Sequence, residues 1–399
     1  MKLENKRALT FKEKVLKQIK RQKRKTHLHV FILLPVLVVA VFLMTIIDTR
    51  PTAEVDGKQR SLVEGVFVGD IMMGRHVEEF TDRHGAESVF RYVKPYLDQA
   101  DYVTGNFEQP ITEGNREDEL DKQIHLHAGP EAVKALDDSG FTVVSLSNNH
   151  TMDYGERGLL DTLSAFEGKT VGHAGAGVNR QDAREQIHME EVNGMTIATL
   201  GFTDVYSEDF GATVDSAGVT TFNPDVFVPM VTQASNEADL VVVHAHWGQE
   251  YENRPNDRQR MLARALSDAG ADIVIGHHPH VLQGMEVYND TAIFYSLGNF
   301  VFDQGWTRTR ESALVRYELT PEGRGMFEVV PMYIREASPA PLTATDKLNE
   351  ISIRRALTKT SNFDWTFTDG SIKFEVDHSE ITNEMEDEET DETNEMDEI

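Results

Sequence analysis

Residues 240–280 read LVVVHAHWGQEYENRPNDRQRMLARALSDAGADIVIGHHPH. Two apolar β-like runs, Leu240–His246 and Ile273–His280, flank Asn256–Gly270. In that middle segment Asn256 stands as an N-cap ahead of Met261, Leu262, Ala265 and Leu266 at helical spacing. Strand, helix and strand in that order predict an α/β architecture. Each run also ends on metal-capable side chains, His244 and His246 in the first and His277, His278 and His280 in the second.

The same event recurs upstream. LVEGVFVGD (Leu62–Asp70) ends on Asp70, YVTGNFE (Tyr102–Glu108) on Asn106 and Glu108, and FTVVSLSNNH (Phe141–His150) on Asn149 and His150. In open α/β sheets ligands bind beyond the carboxyl ends of the strands, so five strand ends point one chemistry at one place. Carboxylate, amide and imidazole ligands suit Zn, Mn or Fe. The chain has no cysteine, which excludes disulfides and thiolate metal sites. A mixed N/O set of this kind predicts a catalytic or labile metal site.

Further strands are predicted over Thr196–Asp204 and Ala292–Phe302, and helices over Pro130–Gly140 and Glu156–Phe166. Residues 311–340 alternate as an antiparallel extension or sheet edge, and Ala337–Leu342 (ASPAPL) marks an expected end of the core fold. Residues 341–379 read as a C-terminal extension with a short helix and hairpin. Residues 380–399, with eleven acids and no base, read as a disordered, solvated tail.

The N-terminus sets a location. Residues 1–28 hold eleven Lys/Arg against Glu4 and Glu13, a net +9, and Val30–Ile47 follows with eighteen uncharged residues. That length suits a membrane span, and the run ends without a small-x-small cleavage site. The expectation is a basic cytoplasmic segment (1–28), a single-pass anchor (29–47), a linker (48–61) and an extracellular domain (62–340), since positive charge stays inside. The whole chain carries −28, leaving −37 beyond residue 28. Such acidity excludes a nucleic-acid partner, which needs a basic face.

GDIMMGR (Gly69–Arg75), GNFEQPIT (Gly105–Thr112), SNNHTMDYG (Ser147–Gly155), HAHWGQEY (His244–Tyr251), GHHPHV (Gly276–Val281) and SLGNFVFDQ (Ser296–Gln304) together resemble the CapA/PgsA proteins of bacterial poly-γ-glutamate capsule synthesis. That family is similar to the calcineurin-like metallophosphoesterases. The resemblance implies a four-layer α/β/β/α sandwich with divalent metals (Mn, Fe, Zn or Mg), up to two, between the sheets. It assigns metal ligation to Asp70, Asn149, His244, His278 and His280, with Glu108 as a bridging candidate. His150 becomes the leaving-group acid or phosphate contact, and Asp153 orients it. Met72 stands where the superfamily's first motif has histidine, and Asn106 where the second has a bridging aspartate. Implied partners are the poly-γ-glutamate polymer, a membrane-associated ligase, a small membrane subunit and the membrane itself. Two other readings remain open: a phosphoesterase acting on a cell-surface phosphate ester, and a catalytically silent scaffold. Arg75 reads equally as an anion contact or a salt bridge, and His246 as a cleft residue. Trp247 reads as core, His277 as facing away from His278 and His280, and His125, His127 and His173 as loop histidines.

Overall fold

A computed structural model of the chain describes residues 10–46, 61–112, 118–206, 210–305 and 308–382. It divides into two units, Met1–Thr49 and Arg50–Ile399. In the first, Thr10 caps the helix Phe11–Lys23 through a capping box with Glu13, and a second helix spans Thr26–Ile46 with Pro35 inside it. Residue 47, and the side chains of residues 40–46, lie outside the described residues. Among the described residues no helix is long and apolar enough to cross a membrane. The expected linker up to residue 60 and the tail beyond residue 382 also fall outside them.

The second unit is built on two large sheets. Val63–Ile71 lies inside the ten-stranded one, where it runs parallel to Tyr102–Phe107. Val143–Ser145 and Gly172–Ala174 continue that parallel series. On its other side Val63–Ile71 pairs antiparallel with Glu311–Leu319, which pairs with Arg324–Arg335. The six-stranded sheet sets Met195–Thr203, Leu240–His246, Ile273–His277 and Thr291–Phe294 parallel. His188–Val192 and Met285–Tyr288 close its two edges antiparallel.

Three apolar cores explain the runs. Phe67, Leu240, Val242, Ile273 and Ile275 meet between the sheets. Their strand neighbours Val241, Val243 and Val274 pack outward with Leu262 and Leu266 of the helix Asp257–Asp268. Val66 and Val68 pack outward with Val133 and Leu136 of the helix Glu131–Ser139. A strand buried on both faces has no polar side to show, so it reads as a continuous apolar run. Each such side chain contributes about 1.5–3 kcal/mol on burial. Helices, sheet, sheet and helices stack in that order, an α/β/β/α sandwich.

Two boundaries differ from the sequence reading. Ala292–Phe302 is two strands: Thr291–Phe294 stays in the six-stranded sheet, whereas Asn299–Val301 pairs with Val63–Ile71 in the other. The chain crosses between sheets at Gly298, whose φ of +67° favours glycine. The fold also continues past residue 340. Ser338–Pro341 pairs with Arg324–Arg335, and Ser371–Asp377 adds to the same sheet. Leu357 of the helix Lys347–Thr358 and Phe374 fill the core between the sheets.

Candidate metal centre

Both parallel series end on the same side of the sandwich. Asp70 lies in register with Asn106 and Asn299, and His246 with His277. The two rows meet: His277 Nδ1 donates to Asp70 Oδ1 at 3.1 Å, and Asn106 Nδ2 donates to the same oxygen at 2.9 Å. Gly276, just before His277, packs closely on the outer face of its own sheet. A Cβ there would stand 2.1 Å from the Tyr295 carbonyl oxygen and 2.7 Å from Trp247 Nε1.

Beyond His277 the strand stops. His278 and His280 take φ of +91° and +55°, a left-handed conformation that costs a non-glycine residue about 1–3 kcal/mol. This turn corrects the expectation for His277. Alternation within the strand sets His277 on the same face as Ile273 and Ile275, between the sheets, where it reaches Asp70; the alternation ends there because the backbone turns at His278. The turn gathers Glu108, His278 and His280, with one ligand atom from each lying within 4.8 Å of the others. Both Glu108 carboxylate oxygens and His278 Nδ1 are buried without a hydrogen-bond partner. Such orphaned groups are expensive in a folded interior, and a cation satisfies all three. Asn299 Oδ1 accepts from His280 Nδ1 at 2.8 Å, which turns His280 Nε2 toward Glu108 Oε1, 3.7 Å away. An imidazole fixed through one nitrogen so that the other faces a cation is the usual arrangement of a metal histidine. The residues present therefore fit a divalent ion.

Charge in the site is unbalanced. Burial works against the Asp70 carboxylate, yet hydrogen bonds from His277 and His280 outweigh it and hold the acid well below its ordinary range. Glu108 bears the cost instead: burial, then the charge of Asp70, pushes it well above the usual value. Burial alone would lower His280, but Glu108 and Asp70 raise it to about 9. Burial and neighbouring His280 lower His278 to about 3, leaving it neutral with a lone pair to offer.

The remaining expected residues find different partners. His244 does not face the cluster. Its Nδ1 donates to His277 Nε2 at 2.9 Å, and its Nε2 accepts from Thr104 Oγ1 at 2.8 Å. Asp70, His277, His244 and Thr104 thus form one buried chain, and His246 stands two residues on. His246 Nε2 donates to Asn149 Oδ1 at 2.9 Å, and its ring lies 4.9 Å from that of His278. His150 Nδ1 donates to Asp153 Oδ2 at 2.7 Å, as expected. Burial lowers the His150 pKa against the pull of Asp153. Met72 is turned into the outer core. Asn106 presents its amide nitrogen to Asp70 while its oxygen accepts from Asn148 Nδ2 at 3.2 Å, so it tethers the acid. Arg75 pairs with Asp303, Trp247 is core, and His173 lies within a strand.

Lys122 was not legible in the sequence. It bonds Asp153 Oδ1 and, at 2.9 Å, the Asn149 carbonyl, from a loop without any motif. Asn299 carried a signal within SLGNFVFDQ but no assigned role.

Two facing sheets whose carboxyl edges enclose a buried Glu–His–His set define an α/β protein with a candidate divalent-metal centre. Residues 65–304 match the family model described as bacterial capsule synthesis protein PGA_cap. The chain is 52% identical to the PGA biosynthesis protein CapA of Bacillus subtilis (strain 168), covering 94% of this chain and 98% of the relative. It is 45% identical to the capsule biosynthesis protein CapA of Bacillus anthracis, over 95% and 94% of the two chains. The chain belongs to the PGA_cap family. Among solved structures, a 5'-nucleotidase precursor from Thermus thermophilus aligns with TM-score 0.38 and 12% identity over 73% of this chain and 58% of that one.

Proposed function

We propose that this chain is the membrane-anchored, extracellular component of a poly-γ-glutamate capsule synthesis and export complex, and that it carries a divalent-metal centre of metallophosphoesterase type. Family membership and the names of the two Bacillus relatives support the role in capsule polymer synthesis. The basic N-terminus followed by the apolar Val30–Ile47 run supports the anchor. A membrane-associated ligase and a small membrane subunit are the partners this reading calls for.

The observation that carries the metal centre is the orphaned Glu108 carboxylate facing the unpartnered Nδ1 of His278. Glu108, His278 and His280 hold the ion. A second would draw on His246 and Asn149, which now hydrogen-bond to one another. A divalent ion bound there supplies Lewis acidity toward a phosphoryl oxygen and acidifies water. Asp153 fixes the proton of His150 on Nδ1 and leaves Nε2 to exchange a proton with a ligand. Asn299 and Asp70 hold the His280 ring in place.

The test is metal content and phosphodiester hydrolysis of the purified full chain, beside a His278→Ala/His280→Ala variant. Bound metal and turnover, both lost in the variant, are expected. Metal without turnover under several divalent ions favours the silent scaffold, while absence of metal removes the centre altogether.

A further inference from the structure

The helix Phe11–Lys23 has thirteen residues and buries none of them. Phe11, Val15, Leu16 and Ile19 are 84%, 40%, 55% and 55% exposed. At about 100° per residue these four occupy an arc of about 140° on one side of the helix. Lys14, Lys17, Lys20 and Arg21 occupy the other side, while Lys12 and Lys23 stand within the apolar arc, on stems long enough to reach its edge. The one acid, Glu13, is spent in the capping box, where its carboxylate accepts from the backbone and hydroxyl of Thr10 at 2.8 and 2.9 Å. A solvated helix this short is marginal in water unless its apolar face finds a partner.

We propose that this helix lies along an anionic phospholipid surface, with Phe11, Val15, Leu16 and Ile19 among the acyl chains and the lysines at the headgroups. The inference rests on the anchor reading above, which brings the helix to the membrane. Charge selects the partner. A second copy of the helix would set like charges together, whereas phosphate headgroups neutralise them and accept the apolar face as well. Within this unit the helix passes directly into Thr26–Ile46 through a turn closed by Lys25 N–H on the Gln22 carbonyl at 2.8 Å. Ile19 joins Val30, Leu33 and Leu34 in lining a groove of about 920 Å³ between the two helices, with Gln18, Gln22, Lys23, Thr26 and His29 also on its walls. Acyl chains can cover its apolar wall while the polar residues stay at the headgroups.

The chain has no cysteine, so a single introduced cysteine reports its own surroundings. Leu16→Cys and Lys17→Cys full chains, spin-labelled, are placed in nanodiscs of phosphatidylcholine with and without phosphatidylglycerol. Collision with oxygen and with a water-soluble nickel complex is then measured. With phosphatidylglycerol the Leu16 label is expected to be shielded from nickel and open to oxygen, and the Lys17 label the reverse. Replacing Lys14, Lys17, Lys20 and Arg21 with Gln in the Leu16→Cys chain is expected to abolish the shielding. Chains that enter the discs with both labels in water overturn the helix placement alone. Shielding that is equal on both lipids overturns the anionic partner. Chains that do not enter discs overturn the anchor and the helix placement together.

Discussion

Replacing Glu108 with Gln separates a metal ligand from a structural acid. Both oxygens of Glu108 are buried without a hydrogen bond, and its carboxyl is pushed well above the usual range by burial and by Asp70. Without metal, this side chain is a burden, so Glu108→Gln is expected to leave the metal-free protein as stable as the parent or slightly more so. With metal the sign reverses. An ion at a hundred times its Kd stabilises the folded state by about 2.7 kcal/mol. At about 2–4 °C per kcal/mol for a large domain, that raises Tm by about 5–10 °C. The assay is thermal unfolding of parent and variant after chelation and after adding Mn, Zn, Fe or Mg. The parent is expected to shift by that amount with at least one ion, and Glu108→Gln to lose most of the shift. A variant that keeps the full metal-dependent shift would refute the assignment of Glu108 as a ligand.

Other consequences are open to measurement. Lys122→Met strips a partially buried partner from Asp153 and is expected to cost about 1–3 kcal/mol in urea unfolding; a loss below about 0.5 kcal/mol would make Lys122 a bystander to the dyad. Leu357→Ala opens a cavity between the sheets and should cost about 2–5 kcal/mol, whereas a near-neutral result would place residues beyond 340 outside the cooperative core. His378 is lowered from 6.5 to about 4 by burial, with Nδ1 accepting from Tyr317 Oη at 2.7 Å. Its contribution is therefore complete above pH 6.5 and lost as pH falls from there toward 4, by up to about 3 kcal/mol. His173, also lowered to about 4 by burial and by His188, acts in the same direction. His378→Gln should flatten the stability profile across that window; an unchanged slope would dismiss the residue as its source.

Much of the fold was legible because burial on both strand faces writes itself into composition. Runs such as LVVV and IVI are short and β-branched, which favours strand over helix, and the Asn256 and Gly140 caps mark helix ends by local chemistry alone. The crossing within Ala292–Phe302 was not legible. Strand residues in either sheet look alike, and the switch at Gly298 depends on which neighbour each half meets. The site followed the same division. Glu108, His278 and His280 sit at strand ends that the sequence shows, and Asp153 lies three residues after His150, across a turn. The choice between His244 and His246 turns on where Leu240–His246 stops relative to the opposite sheet, which no local pattern encodes. The orientation of His277 was not legible, because strand alternation ends where the backbone turns at His278. Lys122 comes from a motif-free loop and is placed by tertiary contacts alone.

The most direct test of the account is genetic, in a poly-γ-glutamate-producing host lacking this gene. Extracellular polymer is measured after returning the intact chain or a Glu108→Gln chain present in the membrane at equal level. Polymer is expected to return with the intact chain and to stay low with the variant. Full recovery with Glu108→Gln, or no loss of polymer on deletion, would contradict it.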